Sequence, residues 1–99
     1  MTDPTDVARL VDASLLHVRG VAHRYVAAPA VAQIAEAGRR QVLAHVTPMP
    51  KAVRVAIGVH QSEDVRAVTR AAAAAVREAL PEDWAEARLT VQVRRIERD

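Results

Sequence analysis

His60, Ser62 and Asp64 stand within five positions in the stretch GVHQSEDV, residues 58–65. In the right geometry a histidine, a serine and an acid make an activated nucleophile with its base. That chemistry needs the imidazole bonded to the hydroxyl, the acid on the other ring nitrogen, and oxyanion donors nearby. Side chains this close together at the start of a helix cannot easily converge so. The same residues fit a simpler role. A strand ending at Val59 hands over to a helix, Ser62 accepts from free backbone amides, and Glu63 and Asp64 sit near the positive end of the dipole. The stretch reads as a helix cap, with Ser62 as the capping residue.

The remaining polar residues suggest little other catalysis. His17, His23, His45 and His60 include no HxH or HxxxH pair, although two of the last three could meet across a sheet. Glu82, Asp83 and Glu86 follow a proline, where a solvated loop places them without an opposing carboxylate. The chain has only 3 glycines and no phosphate-binding loop, and it has no cysteine for a disulfide, a thiolate metal site or a nucleophile. No catalytic residue, metal site or cofactor is expected.

Composition narrows the class further. Lys51 is the only lysine among 14 basic residues, and alanine fills about a fifth of the chain, a bias of GC-rich coding. The formal net charge is only +2, below the basic excess usual in a dedicated nucleic-acid binder. Tyr25 and Trp84 are the only aromatics, so base-stacking platforms are nearly unavailable. No run of about 18 apolar residues is present, and the acidic start MTDPTD does not read as a signal peptide. The expectation is a cytoplasmic protein without direct membrane insertion.

The elements that position these residues read as one domain over residues 1–99. A helix opens at Asp3 and Pro4, with Val7, Leu10, Val11, Leu15 and Val18 on its apolar face, and breaks at Gly20. A strand covers Val21 to about Val26. Pro29 opens a short helix that Gly38 stops, with Arg39 and Arg40 at its end. The runs QVLAHV and AVRVAIGV are strands joined by a hairpin through TPMPK, and Val53, Val55, Ile57 and Val59 alternate without a miss. The longest helix runs over residues 62–80, with the core stripe Val65, Val68, Ala72, Val76 and Ala79, and Leu80 at its edge. PEDWAEA is a loop or single turn. RLTVQVRRI closes the chain as a strand in which alternation would turn Arg95 inward, so the strand frays or twists there. The order is α-β-(short α)-β-β-α-β. It predicts an α+β protein, a two-layer α/β sandwich with two main helices on one face of a small mixed sheet. If the strand at 52–59 and the last strand are parallel, a right-handed helical crossover joins them.

Two surfaces stand out for binding. At about 100° per residue, Arg66, Arg70 and Arg77 fall together beside the core stripe of the long helix, and Ala67, Ala71 and Ala74 populate much of the opposite side. Alanine bias and helix propensity produce the same pattern without a partner. The second surface is the sheet edge near Arg94, since an open edge is a template for strand addition. These seven residues form the candidate interaction surface. The helix arginines, together with Arg88, Arg94, Arg95 and Arg98 near the chain end, leave a second class of function open, a small nucleic-acid-binding module.

Three segments, VARLVDASLLHVRGVAHRYV, KAVRVAIGVHQSEDVRAVTRAAAAAVREAL and LTVQVRRIERD, together resemble the alkaline shock protein family of bacterial envelope-stress proteins over about two thirds of the chain. The likeness lies in a helix running into a V-x-G-V turn (Val18, Arg19, Gly20, Val21), a Val-rich alternating strand, a V-x-x-V-x-x-x-V helix and a last alternating strand. The resemblance implies a non-enzymatic scaffold or interaction protein of the envelope stress response. It also implies self-association, and retention at the inner face of the cell membrane by a membrane-anchored partner. The family pattern offers no catalytic residues to carry over.

Overall fold

The computed structural model describes residues 1–27 and 42–98. In chain order they form α1 (Pro4–Leu15), β1 (Val21–Tyr25), β2 (His45–Pro48), β3 (Lys51–His60), α2 (Val65–Ala79), a single 3-10 turn (Glu82–Trp84) and β4 (Arg88–Glu97). The expected short helix, with Gly38, Arg39 and Arg40, lies outside the described residues, as does the first part of QVLAHV. The α+β sandwich is otherwise as expected, with α1 and α2 packed on one face of a mixed sheet.

β3 is the axis of that sheet. Its first half pairs antiparallel with β2, from Pro48↔Lys51 to His45↔Arg54, and its second half pairs antiparallel with β1, from Tyr25↔Ala56 to Val21↔Val59. β4 runs parallel along the other side, from Ala52↔Arg88 to His60↔Glu97. Among the described residues β4 has β3 as its only strand neighbour, so its outer edge is unpaired. The parallel crossover passes through α2. Val53, Val55, Ile57 and Val59 face the helices and are all buried, each burial stabilising by about 1.5–3 kcal/mol. Against them pack Val7, Val11 and Leu15 of α1, Val68, Ala72 and Val76 of α2, and Trp84.

Both helices are shorter than the sequence suggested, and the reasons are local. Asp3 caps α1, its carboxylate accepting from the Thr5 amide at 2.8 Å, with Pro4 at the first helical position. The helix then ends at Leu15, five residues before Gly20. The amides of Leu16, His17 and Val18 bond three residues back, to Ala13, Ser14 and Leu15, tightening the chain into turns. Leu10 is 45% exposed and Ala8 is buried in its place. The buried set Val7, Ala8, Val11 and Leu15 spans about 100° of the helix, and Leu10 falls about 60° outside it. In α2, Val65 lies on the core face by spacing yet is 38% exposed. Ala79 is only half-buried, leaving Val68, Ala72 and Val76 as the core stripe.

Arg95 is exposed by a specific device. The ladder passes from Ile57↔Val93 to Gly58↔Arg95, so Arg94 is an extra residue, a β-bulge that resets the alternation. Ile96 takes the core-side position beyond it and is 47% exposed.

Asp12 ties α1 to the lead-in of β2. Its carboxylate accepts from the Leu43 amide at 2.7 Å and the Ala44 amide at 2.9 Å, while Arg24 Nη1 donates to the Asp12 carbonyl at 3.1 Å. Burial pushes the carboxyl above the usual value of 3.8, outweighing the two amides and the Arg24 charge, which pull it down. The folded state therefore holds this proton to higher pH than the unfolded chain does. The contribution is fully present below the unfolded value and is lost as pH rises through the raised folded value. Urea unfolding at stepped pH from 3 to 7 will show the stability of the wild type relative to Asp12→Asn falling as pH rises through that window; a flat or rising difference would reverse the assignment.

Candidate interaction surfaces

The opening trio is a cap, but Asp64 provides it and Ser62 does not. Asp64 has an extended backbone (φ −74°, ψ 114°), and its Oδ1 accepts from the amides of Arg66 at 2.9 Å and Ala67 at 3.2 Å. The strand end uses the preceding backbone: His60 N–H donates to Gly20 O at 3.0 Å, Gln61 N–H to Glu97 O at 2.7 Å, and Glu63 N–H to His60 O at 3.0 Å. Only from Val65 onward is the chain free to turn helically. Glu63 and Asp64 thus precede the first turn of α2 and do not lie in it, and Glu63 pairs with Arg19 at 3.4 Å. Asp64 Oδ1 thus serves the free amides of the helix start, the role of a cap.

His23 and His45 do not meet across the sheet. His45 pairs with Arg54 near one end of β3, whereas His23 pairs with Gly58 near the other, four residues or about 13 Å along a strand. Among the described residues no group of three His, Asp or Glu side chains is placed to hold a metal ion. No described helix is long and apolar enough to cross a membrane. Tyr25 donates its hydroxyl to Glu97 on the face of the sheet away from the helices, and its phenol is held above the ordinary value chiefly by that hydrogen bond.

All seven residues of the expected interaction surface are exposed: Arg66, Ala67, Arg70, Ala71, Ala74, Arg77 and Arg94. The structure gathers only three of them. Arg70, Ala74 and Arg77 join Thr69 and Ala73 of α2, and Leu89 and Val91 of β4, around a groove of about 430 Å³. The groove runs between the outer side of α2 and the unpaired edge of β4. Arg77 forms one end of it, held in place as its Nη1 donates to Ala87 O at 2.6 Å and Ala85 O at 3.3 Å. Arg66, Ala67 and Ala71 lie away from the groove lining, and Arg94 forms the bulge on the same strand. Leu89 and Val91 alternate with polar residues along β4 and face the helices, packed against the core. Their second role as groove lining appears only when β4 is placed at the edge.

A second concavity lies on the sheet face opposite the helices. It measures about 290 Å³ and is lined by His45 and Thr47 of β2, Ala52, Val53 and Arg54 of β3, and Arg88 and Thr90 of β4. Of its polar residues the sequence singled out only His45, as a possible cross-sheet partner, and Arg88, among the basic residues near the chain end. The available signal was position: residues 52 and 54 fall between the buried valines of β3 and therefore face the other way.

No family model, no curated protein and no solved structure matches this chain.

Proposed function

We propose that this protein is a non-enzymatic interaction protein that receives an extended segment of a partner chain along the outer edge of β4. The observation that carries the reading is the outer edge of a ten-residue strand, unpaired among the described residues and flanked by the apolar groove under α2. Strand addition supplies main-chain hydrogen bonds, and alternate side chains of the incoming segment enter the groove over Leu89 and Val91. Arg70 and Arg77 at the rim select a segment with acidic residues beside its apolar ones. The bulge at Arg94 limits regular pairing to residues 88–93. The resemblance of three segments to the alkaline shock protein family supports placing this interaction in the envelope stress response, with a membrane-anchored protein as the partner and the cytoplasmic side of the membrane as the location.

Self-association through the same edge is the second form of this reading. Antiparallel pairing about Val91 sets Leu89 of one copy against Val93 of the other, on the helix side of both sheets. Such a seam brings arginines from two copies together, so its affinity rises with salt, whereas capture of an acidic segment weakens with salt.

The test is an NMR titration with a heptapeptide whose odd positions, facing the groove, alternate valine and glutamate and whose even positions are threonine, beside sedimentation of the protein alone at two salt concentrations. Amide shifts confined to residues 88–93 and to Ala73 and Ala74 are expected. Ala74→Glu places a carboxylate at the groove and should weaken binding at least about tenfold, while Ala71→Glu, outside the lining, leaves it unchanged. Equal losses for both variants, or shifts elsewhere, would remove the groove as the site. Crosslinking in native cells tests the envelope assignment separately: recovery with ribosomes or nucleic acid would favour the arginine-based nucleic-acid module instead.

A further inference from the structure

The hollow on the open face of the sheet is built from two adjacent cross-strand rows. One row is His45–Arg54–Thr90, the other Thr47–Ala52–Arg88, each with one residue from β2, β3 and β4. In the second row the small Ala52 leaves space between Thr47 and Arg88. Arg54 and Arg88 are diagonal neighbours across β3 and β4, about 7–8 Å apart at the backbone, well within the reach of two guanidinium groups converging on one ligand. Among the described residues no carboxylate lines the hollow and neither arginine forms an ion pair. The two positive charges repel across this diagonal, and no described residue of the lining carries an opposite charge.

The donor set defines the ligand. Thr47 has committed its hydroxyl proton to Pro50 O at 3.1 Å, which leaves the two guanidinium forks, the Thr90 hydroxyl and the His45 ring to face the space. Planar forks match tetrahedral oxyanions with two parallel hydrogen bonds each. We infer that the hollow formed by His45, Arg54, Arg88 and Thr90 is a binding site for a phosphate-monoester group, carried by a small soluble molecule or by a lipid headgroup. The site lies on the face of the sheet opposite the helices and does not depend on strand capture at β4.

Inorganic phosphate is the first probe, titrated into the labelled protein with sodium chloride matched for ionic strength. Saturable shifts of the Arg54 and Arg88 side-chain Nε–H signals and the Thr90 amide are expected, with half-saturation on the order of 1 mM. Arg54→Gln and Arg88→Gln should each weaken binding about tenfold, and both should melt no lower than the wild type in phosphate-free buffer, because each relieves the repulsion. Phosphate should raise the melting temperature of the wild type and not of either variant. Sedimentation with phosphatidic acid vesicles, with phosphatidylcholine vesicles as the control, separates the sources. Binding that phosphate competes away assigns the lipid headgroup, and phosphate binding without vesicle binding assigns a soluble ligand. Identical shifts in chloride, or unchanged phosphate binding in both variants, would overturn the site.

Discussion

Gly20→Ala is expected to cost about 3 kcal/mol or more, lowering the melting temperature of a domain this size by roughly 12–24 °C. Two independent penalties act at this position. Gly20 has φ of 93°, a conformation that L side chains rarely adopt, costing roughly 1–2 kcal/mol for any residue with a Cβ. An added Cβ would also collide with Cγ2 of Val68 and meet Glu63 Cγ at 3.2 Å and Oε1 at 3.3 Å. Overpacking of this kind costs about 1–3 kcal/mol. Val68 is a buried member of the α2 stripe and cannot swing out to solvent. The effect reaches the lead-in to α2 as well, because Gly20 O accepts from the His60 amide where β3 ends and the chain turns towards that helix.

The two penalties separate in a double-mutant cycle. Val68→Ala alone should destabilise by leaving a cavity, but in the Gly20→Ala background it also removes the clash. The combined loss measured by circular dichroism in urea should then be smaller than the sum of the two single losses. Strict additivity would assign the whole effect to the backbone at Gly20. Gly58 makes the contrast. There an added Cβ meets Glu97 Oε2 at 2.7 Å, the far end of a flexible side chain that can move aside. Gly58→Ala should accordingly cost less than Gly20→Ala and chiefly disturb the Tyr25–Glu97 hydrogen bond.

These positions also show how far a sequence of this composition can be read. The alternation of Val53, Val55, Ile57 and Val59 identified β3, and the misplaced parity of Arg95 signalled a distortion that the bulge at Arg94 explains. Helix ends were harder. Ser62 and Asp64 are equally good caps two residues apart, and the choice depends on where Gln61 finds its backbone partner, on the distant Glu97. Among many alanines, nothing local distinguishes Ala8 as buried or Ala74 as groove lining from Ala71 as plain surface. The arginine hollow was not legible at all. Its residues come from three strands, and the register that sets Arg54 between His45 and Thr90 is a property of pairings up to 36 positions apart. Sequence reading found the arginines that share one helix and missed the pair that shares one sheet face.

Trp84→Ala carries the other large effect. PEDWAEA reads as a loop, and a loop tryptophan would ordinarily be surface, yet Trp84 is 1% exposed and belongs to the central apolar cluster. The 3-10 turn brings it there: Trp84 N–H donates to Pro81 O at 2.9 Å and turns the indole under the sheet. Its Nε1–H donates to Thr2 O at 3.3 Å, and Lys51 Nζ lies 5.3 Å from the ring centroid while donating to Asp83 O. Next to it, Asp83 accepts from the Thr2 amide at 2.7 Å and hydroxyl at 2.9 Å, and these bonds hold its carboxyl below the usual value. One turn therefore joins the chain start, the β2–β3 hairpin and the approach to β4. Emptying a site this large costs about 3–5 kcal/mol, out of a total of about 5–15 kcal/mol for a small domain. Urea unfolding followed by circular dichroism, since the only tryptophan is lost, should show a midpoint reduced accordingly. Trp84→Phe keeps most of the volume and loses the Thr2 bond, so its cost should stay near 1–2 kcal/mol. Amide exchange should accelerate at residues 2–5 and 82–88 in the alanine variant before it does in β3. Loss of Trp84 would then loosen Ala85 and Ala87, whose carbonyls hold Arg77 at the groove. Strand capture at β4 should weaken in Trp84→Ala even under conditions where the protein remains folded, and undiminished capture would show that the groove forms without this anchor.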